Sequence, residues 1–222
     1  MTAPTPTHVH TAIIGSGFSG LGAGIRLKQE GFHDYVILER AGDVGGVWRD
    51  NTYPGCACDV ESHLYCFSFA PKPDWKYLFG RREEIQDYLQ QCARDYGMIE
   101  KIRFNTSVTG ARWNEDSQRW HIETSTGPVV AQFVIAGSGP LYEPNIPKLK
   151  GIEKFKGATF HSARWDHNHE LKGRKVAVIG TGASAIQFVP EIQPEVSEMK
   201  VFQRTPGWVL PRMDRAVGRR EQ

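Results

Sequence analysis

No apolar run in this sequence approaches the length of a bilayer-spanning helix. Cysteine is scarce, and Cys56, Cys58, Cys66 and Cys92 are too few for a disulfide framework in a chain of this size. Cys56-Ala57-Cys58 has no second Cys or His pair at zinc spacing, so buried or idle thiols are expected there, and no metal. His167-Asn168-His169 lies in a polar stretch and is read as a solvated loop. Net charge is only +2, which gives no global electrostatic case for nucleic acid or a membrane surface. The first seven residues lack the basic and apolar regions of a signal peptide and are expected as a short disordered leader. These absences leave a cytoplasmic globular protein. The 222 residues, 40% hydrophobic and 23% charged, suffice for one or two domains with a real core.

The stretch His8–Arg40 organises what is present. A β-type run (Val9, Thr11, Ile13, Ile14) ends at Gly15-Ser16-Gly17-Phe18-Ser19-Gly20, residues 18–30 have helical periodicity, and Tyr35–Leu38 is a second apolar run closed by Glu39. Gly15 permits a tight turn, Gly17 lets backbone approach a pyrophosphate, and Gly20 lets helix pack on strand. The helix N-terminus offers free N–H groups to phosphate, with Phe18 and Ser19 in its first turn. Glu39, 24 positions after Gly15, stands where a ribose diol is expected. The competing reading is a structural glycine turn.

The pattern returns at Arg174–Ala185, a strand followed by Gly180-Thr181-Gly182-Ala183-Ser184-Ala185. A helix is expected from about Ala183 to Ile192 and a strand over Met199–Phe202. Arg204 is 24 positions after Gly180, and an arginine there suits a 2′-phosphate, hence NADP. A solvent-facing charge is the alternative. Two such units in one chain point to a flavin and a nicotinamide.

Between them, the glycine-, aromatic- and acid-rich segment 45–59 reads as a dense loop without periodicity. Residues 81–96 form an amphipathic helix, with Ile85, Tyr88, Leu89, Cys92, Ala93 and Tyr96 on one face and Gly97 to end it, read as packing and not chemistry. Ile102–Val108, Gly110–Trp113, Trp120–Thr124 and Val129–Ala136 read as a β-meander, with small residues after the last strand to admit a cofactor. The fold class expected is α/β: a Rossmann-type βαβ unit with a β-meander, then the start of a second Rossmann-type unit. The divisions expected are residues 1–140, a linker over 141–172, and 173–222.

Two further stretches carry a family resemblance. Phe155-x-Gly157-x-x-x-His161-x-x-x-Trp165-Asp166 matches the Baeyer–Villiger monooxygenase fingerprint at every fixed position, and Gly45-Gly46-x-Trp48-x-x-x-x-Tyr53-Pro54-Gly55-x-x-x-Asp59 matches that family's second motif. Over essentially its whole length the chain resembles the single-chain FAD- and NADPH-dependent members. The resemblance implies hydride transfer from NADPH to FAD, a C4a-peroxyflavin formed with O2, and oxygen insertion beside a ketone carbonyl to give an ester or lactone. It implies FAD contacts from Gly15, Gly17, Phe18, Ser19, Gly20, Glu39, Gly46, Val47, Trp48, Asp59, Tyr65 and Val108. It implies NADP(H) contacts from Gly180, Thr181, Gly182, Ala183, Ser184, Arg204 and Thr205. His161 and Trp165 resemble linker residues that couple NADP binding to domain movement, with a histidine that merely orients the linker as the alternative. Asp59 resembles the family's catalytic aspartate, which sits beside an arginine near the flavin and with it helps hold the peroxyflavin anionic, and no arginine by motif answers it before Gln222.

The family's length implies a segment beyond Gln222, so the chain is expected as a truncated gene product, a fragment, or one half of a split enzyme with a complementing C-terminal half as partner. Arg212, Arg215, Arg219 and Arg220 make a basic tail where a helix is expected to begin, or a cut end. Two classes stay open: a Baeyer–Villiger-type enzyme working with that half, and a non-catalytic nucleotide-binding fragment. N- or S-oxygenation is a lesser alternative.

Overall fold

The computed structural model describes residues 5–218. The first four residues of the expected leader, and Arg219 and Arg220 of the basic tail, lie outside them. Contacts divide the chain into two compact units: residues up to Arg49 with Gln86–Tyr142, and Asp50–Ile85 with the residues from Glu143 onward. The grouping therefore departs from chain order by placing 50–85 with the second unit.

The first unit is built on strand β1 (Thr7–Ile14), helix α1 (Phe18–Gln29) and strand β2 (Tyr35–Leu38), the βαβ unit expected from the apolar periodicity. A short helical turn, α2 (Val47–Asp50), interrupts the segment read as irregular loop. Helix α3 (Arg82–Asp95) buries Ile85, Leu89, Cys92 and Ala93. It stops where Gly97, at φ +62°, lets the Met98 N–H reach back to the Ala93 carbonyl at 2.8 Å.

Strands β3 (Ile102–Arg103), β4 (Val108–Asn114), β5 (Arg119–Thr124) and β6 (Val129–Ala136) complete a six-stranded sheet of order β3-β2-β1-β6-β5-β4. Only β4, β5 and β6 form the meander. The strand expected over Ile102–Val108 shrinks to two residues, paired parallel to β2 at the far edge. Asn105 takes a left-handed φ of 55°, and the neighbouring backbone bonds to Glu39 instead of continuing a ladder: Glu39 N–H to the Arg103 carbonyl at 3.0 Å, Thr106 N–H to the Glu39 carbonyl at 2.8 Å. Core residues Ala12, Val36, Leu38, Ile122, Val129 and Ala131 pack together on the sheet.

The second unit holds β7 (Lys175–Ile179), α4 (Ala183–Ile192) and β8 (Glu198–Phe202), with β7 and β8 parallel. The expected tail helix does not form among the described residues. Pro206 and Pro211 break any helical run, and the chain is held by side chains and one strand-like bridge. The Arg212 guanidinium lies 4.9 Å from the Phe79 ring centroid and donates to the Cys58 carbonyl at 3.1 Å, and Ala216 bridges Tyr77.

Candidate functional site

Backbone closeness sets the geometry of the first unit. Gly15 has φ +92°, and a Cβ on Gly20 would fall 1.8 Å from the Gly15 carbonyl oxygen. Gly137, just past β6, packs against this same turn, where a Cβ would meet the Gly20 nitrogen at 2.9 Å. Of the small residues after β6, Gly137 makes room for protein backbone, whereas a Cβ on Gly139 would meet open space. Gly17 and Gly46 face each other, and a Cβ on Gly46 would stand 3.3 Å from the Gly17 Cα. Helix α1 starts at Gly17 with no side-chain cap and no acid in its first turn. A glycine-walled cradle at an uncapped helix start fits the pyrophosphate of a dinucleotide.

Glu39 is buried, and both carboxylate oxygens are engaged. Oε2 accepts from the Ser16 N–H at 2.9 Å and the Ser16 hydroxyl at 2.7 Å. Oε1 accepts from the Ala41 N–H at 2.9 Å and from Arg49 Nη1 at 3.1 Å. The carboxylate therefore ties the glycine turn to α2 as well as closing β2. Ser16 and Arg49 are participants that sequence reading passed over, because the middle position of Gly-x-Gly carries no signal of its own.

Helix α3 does more than pack. Gln86 Nε2 donates to the Val44 carbonyl at 2.8 Å, and Gln90 Nε2 to Asp43 Oδ2 at 2.6 Å. A Cβ on Gly45 would fall 1.8 Å from Gln86 Oε1. The helix thus grips the backbone that delivers Gly46, Val47 and Trp48. Two glutamines four residues apart beside the apolar stripe were the available signal. Val108 opens β4 and packs against the core cluster.

The second unit repeats the device. The Gly180 N–H bonds to the last residue of β8, Phe202, at 2.9 Å, as the Gly15 N–H bonds to the last residue of β2, Leu38, at 2.8 Å. Helix α4 starts at Gly182, again without a side-chain cap or an acid in the first turn. Gln203 Nε2 donates to the Thr181 hydroxyl at 2.9 Å. Equal spacing of 24 does not give equal placement: Glu39 directly follows β2, whereas Arg204 is the second residue past β8, exposed together with Thr205.

The motif segments meet on α4. The Tyr53 hydroxyl donates to Gln187 Oε1 at 2.9 Å, and its ring lies 6.2 Å from Phe188. Trp165 lies 5.2 Å from Phe188 in a tilted contact and 5.2 Å from Phe160 edge to face. His161 Nδ1 accepts from the Ala163 N–H at 3.0 Å, capping a short turn. Phe155 is exposed, and its ring edge lies 2.6 Å from where a Gly157 Cβ would stand. Asp166 accepts from the Asn168 N–H at 3.0 Å, and the exposed His167 bonds the Thr52 hydroxyl at 2.8 Å. Asp59 is exposed, at the end of a segment whose Cys56, Ala57 and Cys58 are buried. Tyr65 follows a 3-10 turn over Ser62–Leu64. Burial pushes the Tyr53 phenol up to about 12, against the pull of the Ser184 hydroxyl, and raises the Cys56 and Cys58 thiols as well.

The profile of the family described as flavin-binding monooxygenase-like matches residues 8–218. A Baeyer–Villiger monooxygenase of Streptomyces coelicolor is 54% identical over 215 residues, covering 97% of this chain and 41% of that protein. A closed crystal structure of cyclohexanone monooxygenase matches with a TM-score of 0.90 at 35% identity, over 98% of this chain and 42% of the other. The crystal structure of OTEMO complexed with FAD and NADP matches with a TM-score of 0.89 at 32% identity, over 99% and 43%. The chain spans about two fifths of the length of these relatives.

Proposed function

Because the chain belongs to the flavin-binding monooxygenase-like family, we propose that it forms the dinucleotide-binding part of a Baeyer–Villiger-type monooxygenase, with FAD on the first unit and NADP(H) on the second. The observation that carries this reading is the duplication: two strand–glycine turn–helix units, each with an uncapped, acid-free helix start and the same backbone bond from its first glycine. Both are suited to a pyrophosphate.

Gly15, Gly17 and the first-turn amides of Phe18, Ser19 and Gly20 hold the FAD pyrophosphate, and Glu39 takes the ribose. Gly46, Val47, Trp48, Asp59, Tyr65 and Val108 serve the rest of the flavin nucleotide. Gly180–Ser184 hold the NADP(H) pyrophosphate, and Arg204 and Thr205 its 2′-phosphate. Bound FAD supplies hydride acceptance from NADPH and activation of O2 for transfer to a ketone. Asp59 is the carboxylate this reading assigns to that chemistry, and the glycine walls and α3 fix the cradle's shape.

The ketone, O2 and the remaining three fifths of the relatives' length are the partners this reading requires. A cytoplasmic location goes with it; among the described residues no helix is long and apolar enough to cross a membrane. The partial coverage supports a narrower second reading, in which this chain alone binds nucleotide without turnover.

Anaerobic mixing of NADPH with the FAD-loaded chain, complemented by a C-terminal segment supplying the remaining length of a relative, tests the first reading. Bleaching of the flavin absorbance, faster with NADPH than with NADH, is expected. Stable binding of both nucleotides without bleaching leaves the narrower one, and equal rates with NADH remove Arg204 from the 2′-phosphate.

A further inference from the structure

We infer that Gln187 is a positioning residue that clasps the Tyr53–Asp59 segment to α4, so that a nicotinamide dinucleotide seated at the start of α4 also fixes Asp59. The inference rests on the reading of that helix start as the NADP(H) site.

One face of α4 carries Ser184, Gln187, Phe188 and Glu191, spaced i, i+3, i+4 and i+7. The motif segment lies along it. The Gln187 side-chain amide engages both backbone groups of Ala57, as a neighbouring strand would. Nε2 donates to the Ala57 carbonyl at 2.9 Å, and Oε1 accepts from the Ala57 N–H at 3.4 Å and from the Tyr53 hydroxyl at 2.9 Å.

Gly55 makes the fit possible. Its φ is +73°, and a Cβ there would lie 2.9 Å from the Gln187 carbonyl oxygen and 2.8 Å from Glu191 Cγ. Backbone therefore packs directly on the helix. Phe188, between Tyr53 and Trp165, brings the fingerprint onto the same two turns.

The lengths are short. Gln187 lies five residues past the Gly182 cap, roughly 7.5 Å of helix rise. Asp59 lies two residues past Ala57, at most about 7 Å of chain. Only an amide does this work: a glutamate lacks the donor for the Ala57 carbonyl, and a methionine of similar length lacks donor and acceptor alike. Coupling carried by a hydrogen-bonded contact of this kind is worth about 5-fold or more in an equilibrium.

Hydrogen–deuterium exchange on the chain, with and without saturating NADP+, tests it. In the wild type, NADP+ slows exchange over residues 180–184 and, by about 5-fold or more, over 53–59. In Gln187→Met the protection at 180–184 stays and that at 53–59 is lost. Tyr53→Phe keeps both, because the Ala57 pair remains. Protection of 53–59 that survives in Gln187→Met overturns the inference. So does a wild type protected at 180–184 alone, a comparison that holds whether or not the variant folds. No protection at 180–184 in the wild type overturns the NADP(H) reading and the inference together.

Discussion

The Glu39 carboxylate accepts from two backbone amides, one hydroxyl and one guanidinium. Glu39→Gln turns an NH2 group toward donors and removes the charge that faces Arg49, so it is expected to cost about 3 kcal/mol. The shift of the urea midpoint measures this, and an unchanged midpoint contradicts the buried network. Gly20→Ala is expected to be worse for the cradle, since the added methyl meets the Gly15 carbonyl. Overpacking of this kind costs about 1–3 kcal/mol, and FAD titration of any folded variant is expected to show strongly weakened binding.

Tyr53 gives a pH test. An unfolded tyrosine loses its proton near 10, whereas the buried phenol holds it to about 12. The stability that the neutral phenol contributes is complete below pH 10 and is lost as pH rises through 12. Cys56 and Cys58, raised by burial too, add a loss of the same sign that begins at lower pH. Thermal midpoints taken across this range should fall in the wild type, and Tyr53→Phe should show a smaller fall above pH 10, where Tyr35, also raised by burial, supplies the rest. Of these residue-scale facts, the glycines and Glu39 were legible because φ limits and spacing constrain them. Ser16, Arg49 and Gln187 were not, because a polar side chain declares its partner only once the fold brings that partner near.

At the scale of elements, α1, α4 and β2 fell where apolar periodicity put them. Helix α3 also matched to within a residue at each end, because its stripe and Gly97 agree. Gly97→Ala forces a methyl at φ +62° and should destabilise by about 1 kcal/mol, read from the denaturant midpoint. Its Cβ meets only the flexible end of Lys28, so a much larger loss contradicts this account of the cap. Besides the α2 turn and the tail helix that does not form among the described residues, pattern misjudged β3. Ile102 to Val108 alternates well enough for a long strand, but Asn105 turns left-handed and the backbone on either side is committed to Glu39. Short-range periodicity carries no record of that long-range bond. Likewise the partners of the α3 glutamines, Asp43 and Val44, lie more than 40 residues away in sequence and leave no trace in the helix's own periodicity.

At the scale of the whole molecule, both Rossmann-type units were legible from their glycines and flanking apolar runs. The grouping of residues 50–85 with the second unit was not, since it arises from the packing of Tyr53, Gly55 and Ala57 on α4. The central claim is that the first unit, as it stands in this chain, is an FAD site. The visible absorbance spectrum of the chain, purified with FAD present and then desalted, with circular dichroism and intact mass on the same sample, tests it most directly. The account predicts a folded chain of the expected mass carrying near-stoichiometric flavin. A folded chain of that mass that emerges colourless contradicts it.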